Sequence, residues 1–193
     1  MPQKQSKLGN FAFIDSQNLN MGTQRMGWKL DWRKFRQYLN DEYDVTQAYM
    51  FIGYMTENES LYEYMHELGF LVVLKPTIDV SPQDKSKSEA STNGKDEPEK
   101  DKEKEKPTVK GNVDAELVLY AMKELNNYNQ AIIVSGDGDF FSLAEYLDNQ
   151  GKLANIIAPN WQYSSLLKPY EDKIVRLDKL RKQLTYRSRK KSN

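Results

Sequence analysis

The chain has 193 residues, enough for one folded domain with a linker, and its 28 Lys and Arg balance 28 Asp and Glu. A global positive field of the kind that attracts nucleic acid is thereby excluded, and any such signal has to be local. The absence of cysteine removes disulfides, thiolate zinc sites and cysteine nucleophiles together, and a mean hydropathy of −0.81 implies that one segment adds little to a core.

Residues 1–8 read as a flexible start, without the long apolar core of a secretory leader. No apolar run is long enough to span a bilayer, so a soluble, cytoplasmic protein with no membrane association is expected. FAFID (Phe11 to Asp15), Val45 to Ile52 and FLVVLKP (Phe70 to Pro76) read as buried strands. The SQNLN that follows Asp15 is polar and loop-like, while Asp31 to Leu39 and Glu57 to Leu68 show helical spacing, with Gly69 as a helix stop. From Asp79 to Pro107 the chain has hardly any apolar side chain to offset the entropy of ordering it, which predicts a charged, disordered insertion.

After the insertion the alternation resumes: a helix over Asn112 to Asn126, the strand AIIVS (Ala131 to Ser135), and a helix from Phe140 to Gln150 stopped by Gly151. LANIIAP (Leu153 to Pro159) is a strand, Ser164 to Tyr170 a short helix, and KIVRL (Lys173 to Leu177) an edge strand. Residues 179–193 form a basic tail that is expected to fray. Strand alternating with helix predicts an α/β, three-layer sandwich over residues 9–178, with a mostly parallel central sheet flanked by helices. Ligands belong at the carboxyl ends of the strands, where the strand order reverses.

The acidic residues gather at such places. Asp15 ends the first strand. Asp137 and Asp139 follow AIIVS in a GDGD turn whose glycines permit a sharp bend. Asp114 opens the helical stripe Leu117, Val118, Ala121 and Leu125, at the start of its core-facing side. Each has a bland explanation taken singly, as a strand end, a helix N-terminal acid or a tight turn. Three independent segments placing Asp where an α/β sheet keeps its site weaken those explanations together. Converging carboxylates repel unless compensated, and oxygen ligands without His or Cys suit Mg²⁺ or Mn²⁺, which activate water against phosphodiesters.

The phrases FAFIDSQNLN, KGNVDAELVLYAM and AIIVSGDGDFFSLAEYL, in that order, resemble the NYN domain family within the PIN-like ribonuclease superfamily. The resemblance runs from Phe11 to Leu177 outside the insertion, and SGDGDF after a strand is its most specific part. It implies a PIN-like fold and a metal-dependent endoribonuclease acting on RNA with Mg²⁺ or Mn²⁺. The family's acidic-site positions fall on Asp15, Asn18, Asp114, Asp137 and Asp139, with the four aspartates as metal ligands and Asn18 orienting a water or a phosphate. Lys110, within KGNVD, is the matching phosphate contact, and Ser135 and Ser165 are placed beside the substrate. Ser165 and Asp172 belong to a closing phrase, SSLLKPYEDKIVRL, that also looks like the family's ending.

One departure stands out: many members carry a further Asp six residues after the position of Asp114, and here that position is Tyr120. A weakened second metal site, and with it a non-catalytic RNA-binding or scaffolding module, is the alternative. A haloacid-dehalogenase-like phosphatase would need an Asp where Gln17 stands. His66, the single histidine, lies in an ordinary amphipathic helix, and neither Ser135 nor Ser165 has a matched histidine to activate it as a nucleophile. Self-association is compatible with the sequence.

Overall fold

The computed structural model describes residues 8–54, 56–75 and 113–187; the expected insertion at 79–107, Lys110 and residues 1–7 lie outside them. Six strands, β1 (Asn10–Asp15), β2 (Val45–Gly53), β3 (Leu71–Lys75), β4 (Ala131–Val134), β5 (Leu153–Ala158) and β6 (Ile174–Arg176), form one sheet in the order β3-β2-β1-β4-β5-β6. Every pairing is parallel, and β6 closes one edge as its short apolar run predicts.

Alternation along the strands builds two cores. Phe11, Phe13, Tyr49, Phe51, Ala131 and Ile133 face one layer, made by α4 (Asp114–Lys123), α5 (Phe141–Asn149) and the 3₁₀ segment Ser165–Lys173. The intervening Ala12, Ile14, Ala48, Met50, Ile132 and Val134 face the other, which takes in α1 (Ser16–Arg25), α2 (Trp32–Tyr43) and α3 (Glu59–Glu67). Burial on both faces explains why β1, the second half of β2 and β4 read as continuous apolar runs rather than as polar and apolar in turn. The three-layer α/β sandwich is therefore as expected.

Three stretches differ from the sequence reading. The strand expected to be buried at Phe70 to Pro76 is β3, an edge strand with Leu71 41% and Leu74 39% exposed, because among the described residues only one of its sides has a neighbouring strand. SQNLN is not a loop: it opens α1, because Asp15 caps the helix by accepting the Asn18 N–H at 3.0 Å, a stronger start signal than the polar composition suggested. The basic tail is also anchored as far as Tyr186. Arg181–Leu184 forms a short helix, α6, Leu184 is buried in the second core, and Thr185 bridges to Leu30. The Asp31 N–H donates to Leu184 O at 2.8 Å and the Tyr186 N–H to Lys29 O at 2.9 Å, so one buried leucine and a few backbone bonds hold a segment whose sequence is otherwise charged.

Helix termini follow local chemistry. Asp31 caps α2 through the Lys34 N–H, and Gly69 and Gly151 take positive φ of 83° and 65° after α3 and α5, as the sequence predicts for both glycines. Asp44 also adopts the left-handed conformation, ending α2 without a glycine.

Candidate active site

Connections from β1 run to one side of the sheet, towards β2 and β3, and later ones to the other, towards β5 and β6, so strand order reverses between β1 and β4. A crevice at the carboxyl ends of those two strands is what this topology creates. Asp15 is the last residue of β1, and Ser135, Gly136 and Asp137 follow β4 directly. Helices that return antiparallel to the strands start at the same edge, which brings the first residue of α4, Asp114, to it as well.

Asp15 is buried, with 5% of its surface exposed, yet its carboxylate is well supplied with donors. Oδ1 accepts from the Asn18 N–H at 3.0 Å and Oδ2 from the Ser135 hydroxyl at 3.2 Å. Burial nevertheless pushes its pKa above the ordinary carboxylate value; those two hydrogen bonds oppose the shift, and the negative charges of Asp114 and Asp137 add to it. The structure thus brings Asp15, Asp114 and Asp137 into one electrostatic neighbourhood.

The strand-end segments are tied together by a short relay. The Ser135 hydroxyl, which donates to Asp15, accepts from the Asp137 N–H at 3.1 Å, and Asn18 Oδ1 accepts from the Gly136 N–H at 2.9 Å. Ser135, expected beside the substrate, is 1% exposed and links the two aspartate-bearing segments. Asn18 ties Asp15, at the end of β1, to the loop after β4 through its backbone N–H and its side-chain oxygen, a tie that a sequence reading of Asn18 as a water or phosphate ligand does not contain.

Asp137 caps a 3₁₀ turn, Gly138–Phe140, by accepting the Asp139 N–H at 3.1 Å. Asp139 is exposed beside it. The turn packs tightly: a Cβ on Gly138 would lie 2.4 Å from Ser164 Oγ and 3.0 Å from Ser164 Cβ and Leu166 Cδ1, so any side chain there would have to displace Ser164. Ser165 is exposed at the start of the neighbouring 3₁₀ segment, to which the Asp137 loop is joined by the Ser164 N–H donating to Gly136 O at 2.9 Å. Asp172, in the same segment, is also exposed.

Lys75, at the carboxyl end of β3, pairs with Glu116 at 2.9 Å in the first turn of α4. Tyr120 packs its ring between Tyr49 and Phe51, with centroids 5.6 Å from each, so the position at which the family resemblance implies a further acid serves the aromatic core of this face. His66 is exposed in the last turn of α3, at the opposite edge of the sheet from the aspartates. Among the described residues, no three acidic or histidine side chains stand close enough to form a ready-made metal cage.

A doubly wound parallel sheet with carboxylates at its switch point defines an α/β domain built around an acidic site. The NYN domain model matches residues 11–178, and the chain belongs to the NYN domain family, whose nuclease-like fold acts on RNA. The low amplitude and bright protein LabA of Synechococcus elongatus is 23% identical over 173 residues, covering 88% of this chain and 83% of that protein. A protein of unknown function from Vibrio parahaemolyticus superimposes with a TM-score of 0.67 at 18% identity, over 96% of this chain and 100% of that one. The second likeness speaks to the fold alone. No helix among the described residues is long and apolar enough to cross a membrane.

Proposed function

We propose that this protein is a metal-dependent endoribonuclease that hydrolyses RNA phosphodiester bonds at Asp15, Asp114 and Asp137, with Asp139 at the rim. The observation that carries the reading is the buried Asp15 carboxylate at the switch point, destabilised in its charged form by burial and by Asp114 and Asp137. A carboxylate so placed is compensated by a cation, and an all-oxygen donor set without His or Cys suits Mg²⁺ or Mn²⁺. Such ions keep several waters and need only one or two direct carboxylates, so this donor set fits them without a preformed three-ligand cage.

When bound, the cation supplies an acidified water and neutralises charge developing on the phosphate. The chain's own residues do the rest. Asn18 and Ser135 hold Asp15 and the Asp137 loop in fixed register, which limits the reorganisation needed when substrate arrives. Asp137 is half-exposed, with its Oδ1 held by the Asp139 N–H at 3.1 Å, so a bound cation could be reached by its other oxygen. Lys110 is proposed as a phosphate contact by its place in the motif, and Ser165 by its exposure beside the Asp137 loop.

The packing of Tyr120 against Tyr49 and Phe51 favours a second reading, an RNA-binding module without turnover, because it leaves that position without a carboxylate. Incubation of wild type and Asp137→Asn with labelled RNA and DNA, with and without Mg²⁺ or Mn²⁺, separates the two. Metal-dependent RNA cleavage that falls by orders of magnitude in Asp137→Asn supports the enzyme. Undiminished metal-dependent cleavage in the variant rules out this site, and a wild type that binds RNA without cutting it establishes the module.

A further inference from the structure

The loop that follows β5, residues 159–164, leaves the sheet at the same edge as Asp15 and Asp137 and is pinned at both ends. Asn160, with 4% of its surface exposed, donates from Nδ2 to Gly22 O at 2.9 Å and accepts the Gln162 N–H on Oδ1 at 2.7 Å. At the far end the Ser164 N–H holds Gly136 O, and a Cβ on Gly136 would meet Tyr163 Cβ at 3.2 Å and Pro159 Cδ at 3.3 Å. The loop is thus packed against the residue that precedes Asp137.

Between these anchors Trp161 is 56% exposed. Scattered exposed hydrophobics are ordinary on a protein surface. Trp161 differs in its setting, because a buried polar side chain, Asn160, is spent on shaping the two-residue turn that presents it. Gln162, Ser165 and Lys168 are exposed nearby, so the surroundings are polar, unlike the contiguous apolar patch that a protein partner would require. Leu166, also 56% exposed, lies over Gly138, where its Cδ1 would be 3.0 Å from an added Cβ. Leu166 and the loop that carries Trp161 therefore lie against the two glycines, Gly138 and Gly136, that flank Asp137.

We propose that Trp161 is a stacking platform for an unpaired nucleobase of the RNA substrate; this rests on the nuclease reading above. An indole face accepts a base only when that base is out of a helical stack, whereas a duplex offers the same surface nothing but its sugar-phosphate edge. A loop already fixed in the folded protein loses little further entropy when a base settles on it. Stacking tolerates all four bases, so the platform selects for strandedness rather than for sequence.

The test measures binding separately from cleavage. Asp137→Asn, which leaves substrate intact, is titrated with a short unstructured RNA and with a duplex of equal length, alone and combined with Trp161→Ala or Trp161→Phe. Single-strand affinity is expected to fall about tenfold or more with alanine and to be largely kept with phenylalanine, while duplex affinity stays unchanged. Intrinsic fluorescence adds a direct signal, since Trp28 is buried and Trp32 half-buried, leaving Trp161 as the exposed indole that a stacked base would quench. Equal single-strand affinity of Trp161→Ala and its parent, or equal losses on single strand and duplex, overturns the proposal. Cleavage by wild type that ignores Trp161 removes the stacking site and keeps the nuclease. Trp161-dependent binding without cleavage keeps the stacking site and removes the nuclease.

Discussion

Asp15 shows how one side chain carries two duties that pull against each other. Its carboxylate caps α1 and accepts from Ser135, yet burial and two neighbouring aspartates raise its affinity for a proton. A folded-state pKa above the unfolded value means that this group favours the fold below its unfolded pKa, and gives that contribution up as pH rises through the folded one. In chelator at neutral pH, Asp15→Asn is therefore expected to unfold at a urea midpoint equal to or above wild type. The amide keeps an oxygen for the Asn18 N–H, and the Ser135 hydroxyl can turn to accept. The difference should shrink as pH is lowered through the carboxylate range. A midpoint well below wild type at neutral pH would mean that charged Asp15 stabilises the apo fold, contrary to the electrostatics described. Tyr120 carries a complementary lesson: its ring belongs to the Tyr49 and Phe51 cluster, so the position is held by packing.

At the scale of elements, the site depends on how closely α1 approaches the loop after β5. Gly22 of α1 faces Pro159, and a Cβ there would stand 2.4 Å from Pro159 Cγ and 2.5 Å from its Cβ. A proline ring cannot swing aside as a long side chain does, so helix and loop must separate to admit the methyl group. Gly22→Ala is expected to destabilise the fold by about 1–3 kcal/mol, read from urea unfolding, and to weaken the Asn160 to Gly22 bond that shapes the Trp161 turn. An unchanged unfolding midpoint would show that α1 shifts freely. The same helix marks the limit of composition as a guide. SQNLN is polar and carries no apolar stripe long enough to signal a helix; the capping carboxylate of Asp15 and the burial of Leu19 against the sheet make it one.

For the molecule as a whole, both cores are assembled from strands and helices on either side of the charged stretch, and the sequence there offers almost no apolar surface to bury. Replacing residues 79–107 by a short Gly/Ser linker is expected to leave a cooperative thermal transition, monitored by circular dichroism, with a melting temperature close to that of the intact chain. Loss of cooperativity would assign the stretch a structural part. The parallel sheet itself demands long connections between neighbouring strands, which is why an insertion between β3 and α4 can be accommodated without altering strand order.

Sequence alone determined the alternation of strand and helix, the end points of β1 and β4 at Asp15 and Ser135 to within a residue, and the family, because apolar runs buried on both faces and glycine stops are local signals. Three properties were decided only by tertiary structure. The reversal of strand order between β1 and β4 sets Asp15 beside the Asp137 loop, and no local spacing encodes which strands become neighbours. Ser135 and Asn18 became the ties between those segments because their hydrogen bonds join residues as far apart as 120 positions in the chain. Trp161 gave no periodic signal, and the turn that exposes it follows from Asn160 reaching across to α1, a contact that exists only once the sheet has brought β5 and α1 together.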